Sequence, residues 1–399
     1  LPQPQLTDKQ CRQVMEAFVA GGHSKLEASK LLGISDSTYR SRFNCAVRRG
    51  FKPPAKPVEN AELNRIRQLT AALKASDEHN RKLAKEVLTA EAVKRLIHGC
   101  EIKFKPPTWL TKKAVASTRG VPTFFASDWH WDEVVQPSQV NYVNAFNRSI
   151  ATTRARQFID TGIDLVTQHL ARAKYDYCVF ALGGDMLSGN IHEELRETNE
   201  YPIHKSLLSV ADMLIAAITK LHDTFGRVYV PVVVGNHGRL SRKPVYKNRA
   251  FENYDWLLAQ IIARHFSGEA AVQFEVSDGS EVFYRVHGTR YFLQHGDDFI
   301  GGSGISGPFT PWMLGDLRKR RRQDAINQPY DVLIMGHWHQ YTPLRRLIVN
   351  GTLKGFDEYS KHKGYDFEPP TQAVWVTHPE HGITVHWPVF LEPPGKTFH

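Results

Sequence analysis

The chain has 399 residues, longer than one typical domain, so a large domain with smaller appendages is expected. A hydrophobic content of 41% beside 23% charged residues excludes a disordered polar chain and supports a substantial core. The formal charge of +10, from 51 Lys and Arg against 41 Asp and Glu, favours a polyanionic partner without separating nucleic acid from acidic lipid.

Cys11, Cys45, Cys100 and Cys178 form no CxxC pair, so neither a zinc knuckle nor a disulfide framework is expected, and a reducing cytosol fits. No apolar run approaches the roughly 20 residues that span a bilayer. The opening LPQPQLTDKQ is too polar for a signal peptide, which predicts a cytoplasmic protein.

Residues 1–50 predict a helical unit. Val14, Phe18 and Val19 line one face of a first helix, which Gly21 and Gly22 end; Leu26, Ala28, Leu31 and Leu32 line a second. Gly33 turns the chain before Ser35, Asp36, Ser37 and Thr38 cap a third, completing a helix-turn-helix pattern. Between Leu1 and Val58, ten Lys or Arg against four Asp or Glu give a local charge of +6, and the third helix carries Tyr39, Arg40, Arg42, Arg48 and Arg49. Arg40 and Arg42 are candidate DNA contacts, because such a helix enters the major groove while its arginines meet phosphates. A protein-binding module with a solvated basic face is the alternative.

Residues 51–58 form a Pro-rich linker, since proline lacks an amide hydrogen and restricts the residue before it. From Glu59 to Ile97 there is neither Pro nor Gly, and Ile66, Leu69, Leu73, Ser76, Asn80, Leu83, Val87 and Ala90 recur at three- and four-residue steps. The spacing predicts a long helix over 59–99 that either pairs as a parallel coiled-coil homodimer or packs on its own catalytic domain.

The pattern then changes, and residues 100–399 predict a layered α/β domain. Thr123 to Ser127, Tyr177 to Leu182, Val228 to Val234, Tyr291 to Leu293 and Val332 to Met335 are expected as buried strands, with helices over Asn147 to Arg172 and Lys205 to Leu221. Gln372 to Thr377 and Ile383 to Phe390 are expected as more exposed strands.

Polar motifs fall where these strands end: Ser127-Asp128-Trp129-His130, Gly183-Gly184-Asp185, Gly235-Asn236-His237-Gly238, His295-Gly296-Asp297-Asp298 and Gly336-His337-Trp338-His339. Carboxylates and imidazoles suit divalent manganese, iron, zinc or nickel. An Asp-x-His on a strand points both ligands the same way, because alternate side chains share a face. Gly184, Gly235 and Gly336 fit as tight turns after strands. Singly, a Gly-Gly-Asp is a turn and a buried His a satisfied hydrogen bond; their ordered occurrence points to a metal site.

In this order the motifs resemble the calcineurin-like metallophosphoesterase family, whose pattern runs DxH, GD, GNH followed by Asp or Glu, a lone His, then GHxH. The resemblance covers roughly residues 120 to 351. It implies an α/β fold, a metallophosphoesterase-like layered β-sandwich flanked by helices, carrying here an N-terminal helix-turn-helix and a long linking helix. It also implies two divalent metal ions, Mn²⁺ foremost with Fe, Zn, Ni or Mg as alternatives. Asp128, His130 and His339 would hold one ion, and Asn236, His295 and His337 the other. Asp185 would bridge them at the roughly 3.5–4 Å spacing of two-metal clamps, where metal-bound hydroxide attacks phosphorus. His237 would be a general acid or transition-state stabiliser near the leaving group. The chain departs from the family at Gly238, so Asp212 or another distant carboxylate would have to orient His237, unless the ring is held less tightly. With its N-terminal unit the chain is also similar to the phage and prophage branch, often labelled DNA-repair exonucleases, which implies a bacterial host cytoplasm.

Arg239, Arg242, Lys243, Lys247 and Arg249 follow the Gly-Asn-His motif and could grip phosphates flanking the scissile one, with the first three the favoured contacts. A second run, Arg318 to Arg322, is either a solvated helix face or a polyanion site. Trp129, Trp131 and Trp338 could stack on bases or pack a rim around the metals. Gly301 to Pro308 is expected as a flexible loop, and no P-loop is present. These features predict a metal-dependent DNA nuclease, exo or endo. A small-molecule phosphomonoesterase or phosphodiesterase and a non-enzymatic DNA-binding protein with a decayed site are the alternatives.

Overall fold

The computed structural model describes residues 6–54, 120–170, 174–300 and 307–392, with 71, 74–76 and 78 as isolated helical positions. The coiled coil expected over 59–97 and all but Gly307 and Pro308 of the glycine loop lie outside the described residues. The chain divides into two compact units, Leu1–Leu88 and Thr89–His399. Among the described residues no helix is long and apolar enough to cross a membrane.

In the first unit, side-chain caps set where three helices begin. Thr7 and Gln10 form a reciprocal capping box at α1 (Asp8–Ala20), Ser24 caps α2 (Lys25–Leu31), and Ser35 caps α3 (Asp36–Arg48). Their common core includes Cys11, Val14, Met15, Ala28, Tyr39, Phe43 and Ala46. The expected apolar face of α2 is mostly outward, with Leu26 50% and Leu31 61% exposed, because a seven-residue helix turns only Ala28 and Ser29 fully inward. Tyr39 is a core residue whose hydroxyl donates to the Val14 carbonyl at 2.7 Å. Arg40 pairs with Asp36 at 2.7 Å, Arg49 ties α3 to Asp8, and Arg42 is half-buried.

The second unit is two mixed sheets flanked by helices. The larger sheet has the order β11-β10-β1-β2-β3-β4, built from β1 (Val121–Ala126), β2 (Cys178–Leu182), β3 (Val228–Val232), β4 (Val272–Val276), β10 (Thr371–His378) and β11 (Gly382–Phe390). β1 to β4 are parallel, and β10 joins β1 antiparallel. The smaller sheet, β5-β6-β7-β9-β8, comprises β5 (Glu281–Val286), β6 (Thr289–Gln294), β7 (Val332–Met335), β8 (Thr342–Pro343) and β9 (Leu347–Val349).

Side-chain alternation makes the layers. Along β1 and β2, Phe124, Cys178, Phe180 and Leu182 face a core shared with α4 (Arg148–Gln168), α6 (Ile203–Phe225) and α7 (Tyr254–His265). Phe125, Val179 and Ala181 face the other way, against Tyr291, Leu293 and Ile334 of the second sheet. The far side of that sheet packs Phe292, Leu333 and Met335 on Trp312 of α8 (Phe309–Ala325). Two short helices, α5 (Glu193–Thr198) and α9 (Glu358–Lys363), lie in the connections.

One strand expectation needs correcting. β10 is buried along nearly its whole length rather than exposed, because it lies between β11 and β1 and is covered on both faces. β11, the edge strand, is the half-exposed one.

Candidate metal centre

Five loops meet at one end of the two sheets. Asp128, Asp185 and Asn236 follow the parallel strands β1, β2 and β3, while His295 and His337 follow β6 and β7, themselves parallel. Carboxyl ends of parallel strands are where such sheets collect ligands. The Asp128 amide donates to Gly184 O at 3.0 Å and the His130 amide to Asp185 O at 3.1 Å, which locks the first two loops together.

The expectation that Asp128 and His130 share a strand face fails, because β1 ends at Ala126. Left-handed backbone aims the side chains instead: φ is 56° at Asp128, 46° at His130, 51° at Asp185, 67° at His337 and 54° at His339. Each such non-glycine residue costs about 1–3 kcal/mol and persists only when its surroundings enforce it, and such residues cluster at functional sites. Gly235 and Gly336 serve close approach: a Cβ on either would stand 2.1 Å from a carboxylate oxygen, of Asp185 and Asp128 respectively.

Three groups of side chains have their ligand atoms within 4.8 Å of one another: Asp128 with His130 and His339, His130 with Asp185 and His237, and Asp185 with His295 and His337. Nε2 of His130 and Nε2 of His339 face each other at 3.0 Å. His295 Nε2 lies 3.0 Å from both Asp185 Oδ2 and Asn236 Oδ1, and its Nδ1 donates to Gly183 O at 2.8 Å. That second bond commits Nδ1 as a donor and turns Nε2 inward, the orientation that metal-binding histidines require. The structure thus brings Asp128, His130, Asp185, Asn236, His295, His337 and His339 into one buried or half-buried cluster.

Divalent cations fit this donor set. Asp128 Oδ2 is buried without a hydrogen-bond partner among the described residues, a costly state for a carboxylate. Burial alone would lower the affinity of His295 for a proton, yet Asp185, Asp128 and Asp297 push its pKa up to about 10. A pocket that holds one proton so firmly has the same electrostatic reason to hold a metal cation. Burial, aided by Lys354, pushes His130 down to about 4, and burial with the neighbouring His295 does the same to His337, so both are neutral and ready to donate a lone pair.

Two supports were not visible in the motifs. Behind His130, Glu133 Oε2 approaches Nδ1 at 3.3 Å, and its Oε1 accepts from Lys354 Nζ at 2.8 Å. Lys354 also pairs with Asp357 at 2.5 Å, so the three form a buried charge chain ending at a candidate ligand. Elsewhere Asp255, in the first turn of α7, accepts from the backbone amides of Asp185 and Gly235 at 2.9 Å each and Met186 at 3.3 Å. It clamps the loops of Asp185 and Asn236 to one helix end, where the dipole favours an acceptor. Asp255→Ala would leave three buried amides unpaired, and at about 1–3 kcal/mol each the expected destabilisation is about 3 kcal/mol or more, measured by urea unfolding.

His237 is oriented by backbone. Its Nδ1 donates to the Ser188 carbonyl at 2.8 Å, while Asp212 is exposed on α6. A carbonyl therefore does what the carboxylate expected after Gly-Asn-His would do.

The basic residues divide. Arg239 turns inward and donates to the carbonyls of Asn236, Ser241 and Arg242 at 2.9–3.0 Å, holding its own loop. Arg242 pairs with Glu193 in solvent at 2.5 Å, and Lys243 is exposed. Arg249 pairs with Asp297 at 2.6 Å. In the run 318–322, Lys319 pairs with Asp298 and Glu281, Arg320 with Asp316, and Arg322 with Glu281, so internal carboxylates relieve most of the repulsion. Trp129 and Trp131 are buried, their indoles donating to Gln372 and Ser209, and offer no stacking face.

No family model and no curated protein matches the chain. Among solved structures it is similar to a dimetal phosphatase from Danio rerio, at 11% identity over 69% of this chain and 100% of that one, with a TM-score of 0.34. It is also similar to Vacuolar Protein Sorting 29 from Cryptosporidium parvum, at 12% identity over 65% and 86% of the two chains with a TM-score of 0.27. A predicted phosphoesterase from Streptococcus pneumoniae gives 9% identity over 69% and 99%, with a TM-score of 0.24. Likenesses this remote assign no activity, which has to be argued from the site itself.

Proposed function

We propose that the chain is a calcineurin-like, dinuclear-metal-dependent phosphodiesterase that cuts DNA, with Mn²⁺ as the working metal and the N-terminal three-helix unit acting as a helix-turn-helix that delivers it to its substrate. The observation that carries this reading is the convergence of seven candidate ligands from five loops into linked groups, one of which holds a buried Asp128 oxygen with no hydrogen-bond partner among the described residues. Asp185, present in two of the three groups, would be the residue to hold both ions. When bound, such ions lower the pKa of a shared water and neutralise phosphoryl oxygens.

The chain's own residues supply the rest. Asp128 and Asp185 stay ionised: burial opposes this, but neighbouring histidines hold both carboxyls below their ordinary value. Because Nδ1 of His237 is committed to Ser188, Nε2 is the nitrogen left to hand a proton to a departing oxygen. His237→Gln is expected to lower kcat by about 10²-fold, with a smaller loss on esters whose leaving group needs no proton, such as p-nitrophenolate. Equal losses on good and poor leaving groups would remove the acid role.

The net charge of +10 and the solvent-facing Arg40, Arg48, Arg242 and Lys243 support a polyanionic substrate. Incubation of labelled single-stranded, duplex and nicked DNA with Mn²⁺ tests the reading. Cleavage is expected in at least one of them. None above an Asp185→Asn control, together with rapid hydrolysis of a small cyclic or nucleotide phosphoester, would make the chain a small-molecule phosphoesterase instead.

A further inference from the structure

The loop after His237 presents a side chain that folding does not use. Tyr246 is 95% exposed, the most exposed large hydrophobic side chain among the described residues. Aromatic rings stabilise a fold through burial, so a ring held in water at the tip of a loop contributes nothing to this one.

The loop is nevertheless well anchored. At one end the Arg239 guanidinium ties together the carbonyls of Asn236, Ser241 and Arg242, and at the other Arg249 is fixed to Asp297. Val245, the neighbour of Tyr246, lines with Asn236 and Asp297 a small cleft, which places the tip at the rim of the candidate centre. Lys243 and Lys247, three residues before Tyr246 and one after it along the same loop, are both exposed. Arg242 adds a third cation, since its partner Glu193 is 74% exposed and such surface pairs are weak enough for a phosphate to replace.

An exposed ring with exposed cations before and after it along one loop suits a nucleic acid strand, in which each base lies beside phosphates. Within a duplex each interior base is covered above and below, so away from an end a protein ring reaches a base face where the strand is single or splayed. We propose that Tyr246 is a stacking platform for an unpaired base on the strand being cut, with Lys243 and Lys247 meeting the phosphates beside it. Every base has a π-face, so recognition by this platform is tolerant of sequence. The inference rests on the nuclease reading and deepens it by naming unpaired polynucleotide as the substrate class.

The test compares kcat/KM on a single-stranded oligonucleotide with that on versions made abasic at successive positions, for the wild type, Tyr246→Ala and Tyr246→Trp. One abasic position is expected to lower the wild-type value about tenfold, as loss of one stack predicts. Tyr246→Ala is expected to lose about tenfold on the intact strand and to ignore that abasic position, while Tyr246→Trp keeps both the rate and the discrimination. The proposal is overturned if Tyr246→Ala cuts the intact strand as the wild type does, or if the abasic penalty survives in it. A wild type that hydrolyses bis-p-nitrophenyl phosphate but neither binds nor cuts any oligonucleotide brings down the nuclease reading, and the platform with it.

Discussion

Asp185→Asn is expected to lower Mn²⁺-dependent hydrolysis of bis-p-nitrophenyl phosphate by about 10³-fold or more with the fold intact. The substitution keeps the shape of a side chain whose Oδ1 accepts from the His237 amide at 2.7 Å and whose Oδ2 lies 3.0 Å from His295. What it removes is the charge common to two of the three ligand groups, which is also the main influence pushing His295 up to about 10. Calorimetric titration should show the loss of paired cation occupancy, and near-ultraviolet circular dichroism should show unchanged packing. Activity within about tenfold of wild type would mean that Asp185 bridges nothing.

The largest stability effect is expected at Lys354. Its ammonium is buried between Glu133 and Asp357, so Lys354→Met leaves two carboxylates in the interior with no counter-charge, and breaking such a pair costs about 3–5 kcal/mol. The sign of the pH dependence follows from the shifts. Burial would raise both carboxyls, but Lys354 holds Glu133 well below its ordinary 4.5 and Asp357 at about 2; Lys354 itself is held above its ordinary 10.5. Groups with depressed folded-state values stabilise above their unfolded pKa and lose that contribution as pH falls through the folded one; the raised Lys contributes below 10.5. Urea unfolding should therefore show the full difference between variant and wild type in neutral to mildly alkaline solution up to about pH 10, narrowing on acidification as the uncompensated carboxyls of the variant take up protons, which begins above their ordinary values. A difference that grows in acid would refute the charge chain.

What the sequence disclosed depended on distance along the chain. Strands β2 and β7 were legible because each is an apolar run ending in a glycine and a ligand type, and the five motifs are each contained within a few residues. Helix α7 was not, because Tyr254, Trp256, Leu257, Leu258, Ala259 and Ile262 are all buried, and a helix apolar on most sides shows no stripe. Asp255 reaches across 70 residues to Asp185, and Lys354 across 221 to Glu133; no local pattern announces such partners. The cations at 318–322 suggested an external polyanion because Glu281 and Asp298, which meet them, belong to other segments. Trp129 and Trp131 flank His130 in sequence, but the left-handed backbone there sends the imidazole to the centre and both indoles to the core.

The candidate ligands are divided between the two sheets: Asp128, His130, Asp185 and Asn236 follow strands of the larger, and His295, His337 and His339 follow strands of the smaller. An ion gripped from both sides would work as a staple across the sandwich, and heat resistance would then be a function of cation supply. At a free concentration about 100-fold above Kd, one such ion adds about 2.7 kcal/mol. Chelation with EDTA should accordingly lower the melting temperature of the 120–392 region, and excess Mn²⁺ should restore it in a concentration-dependent way.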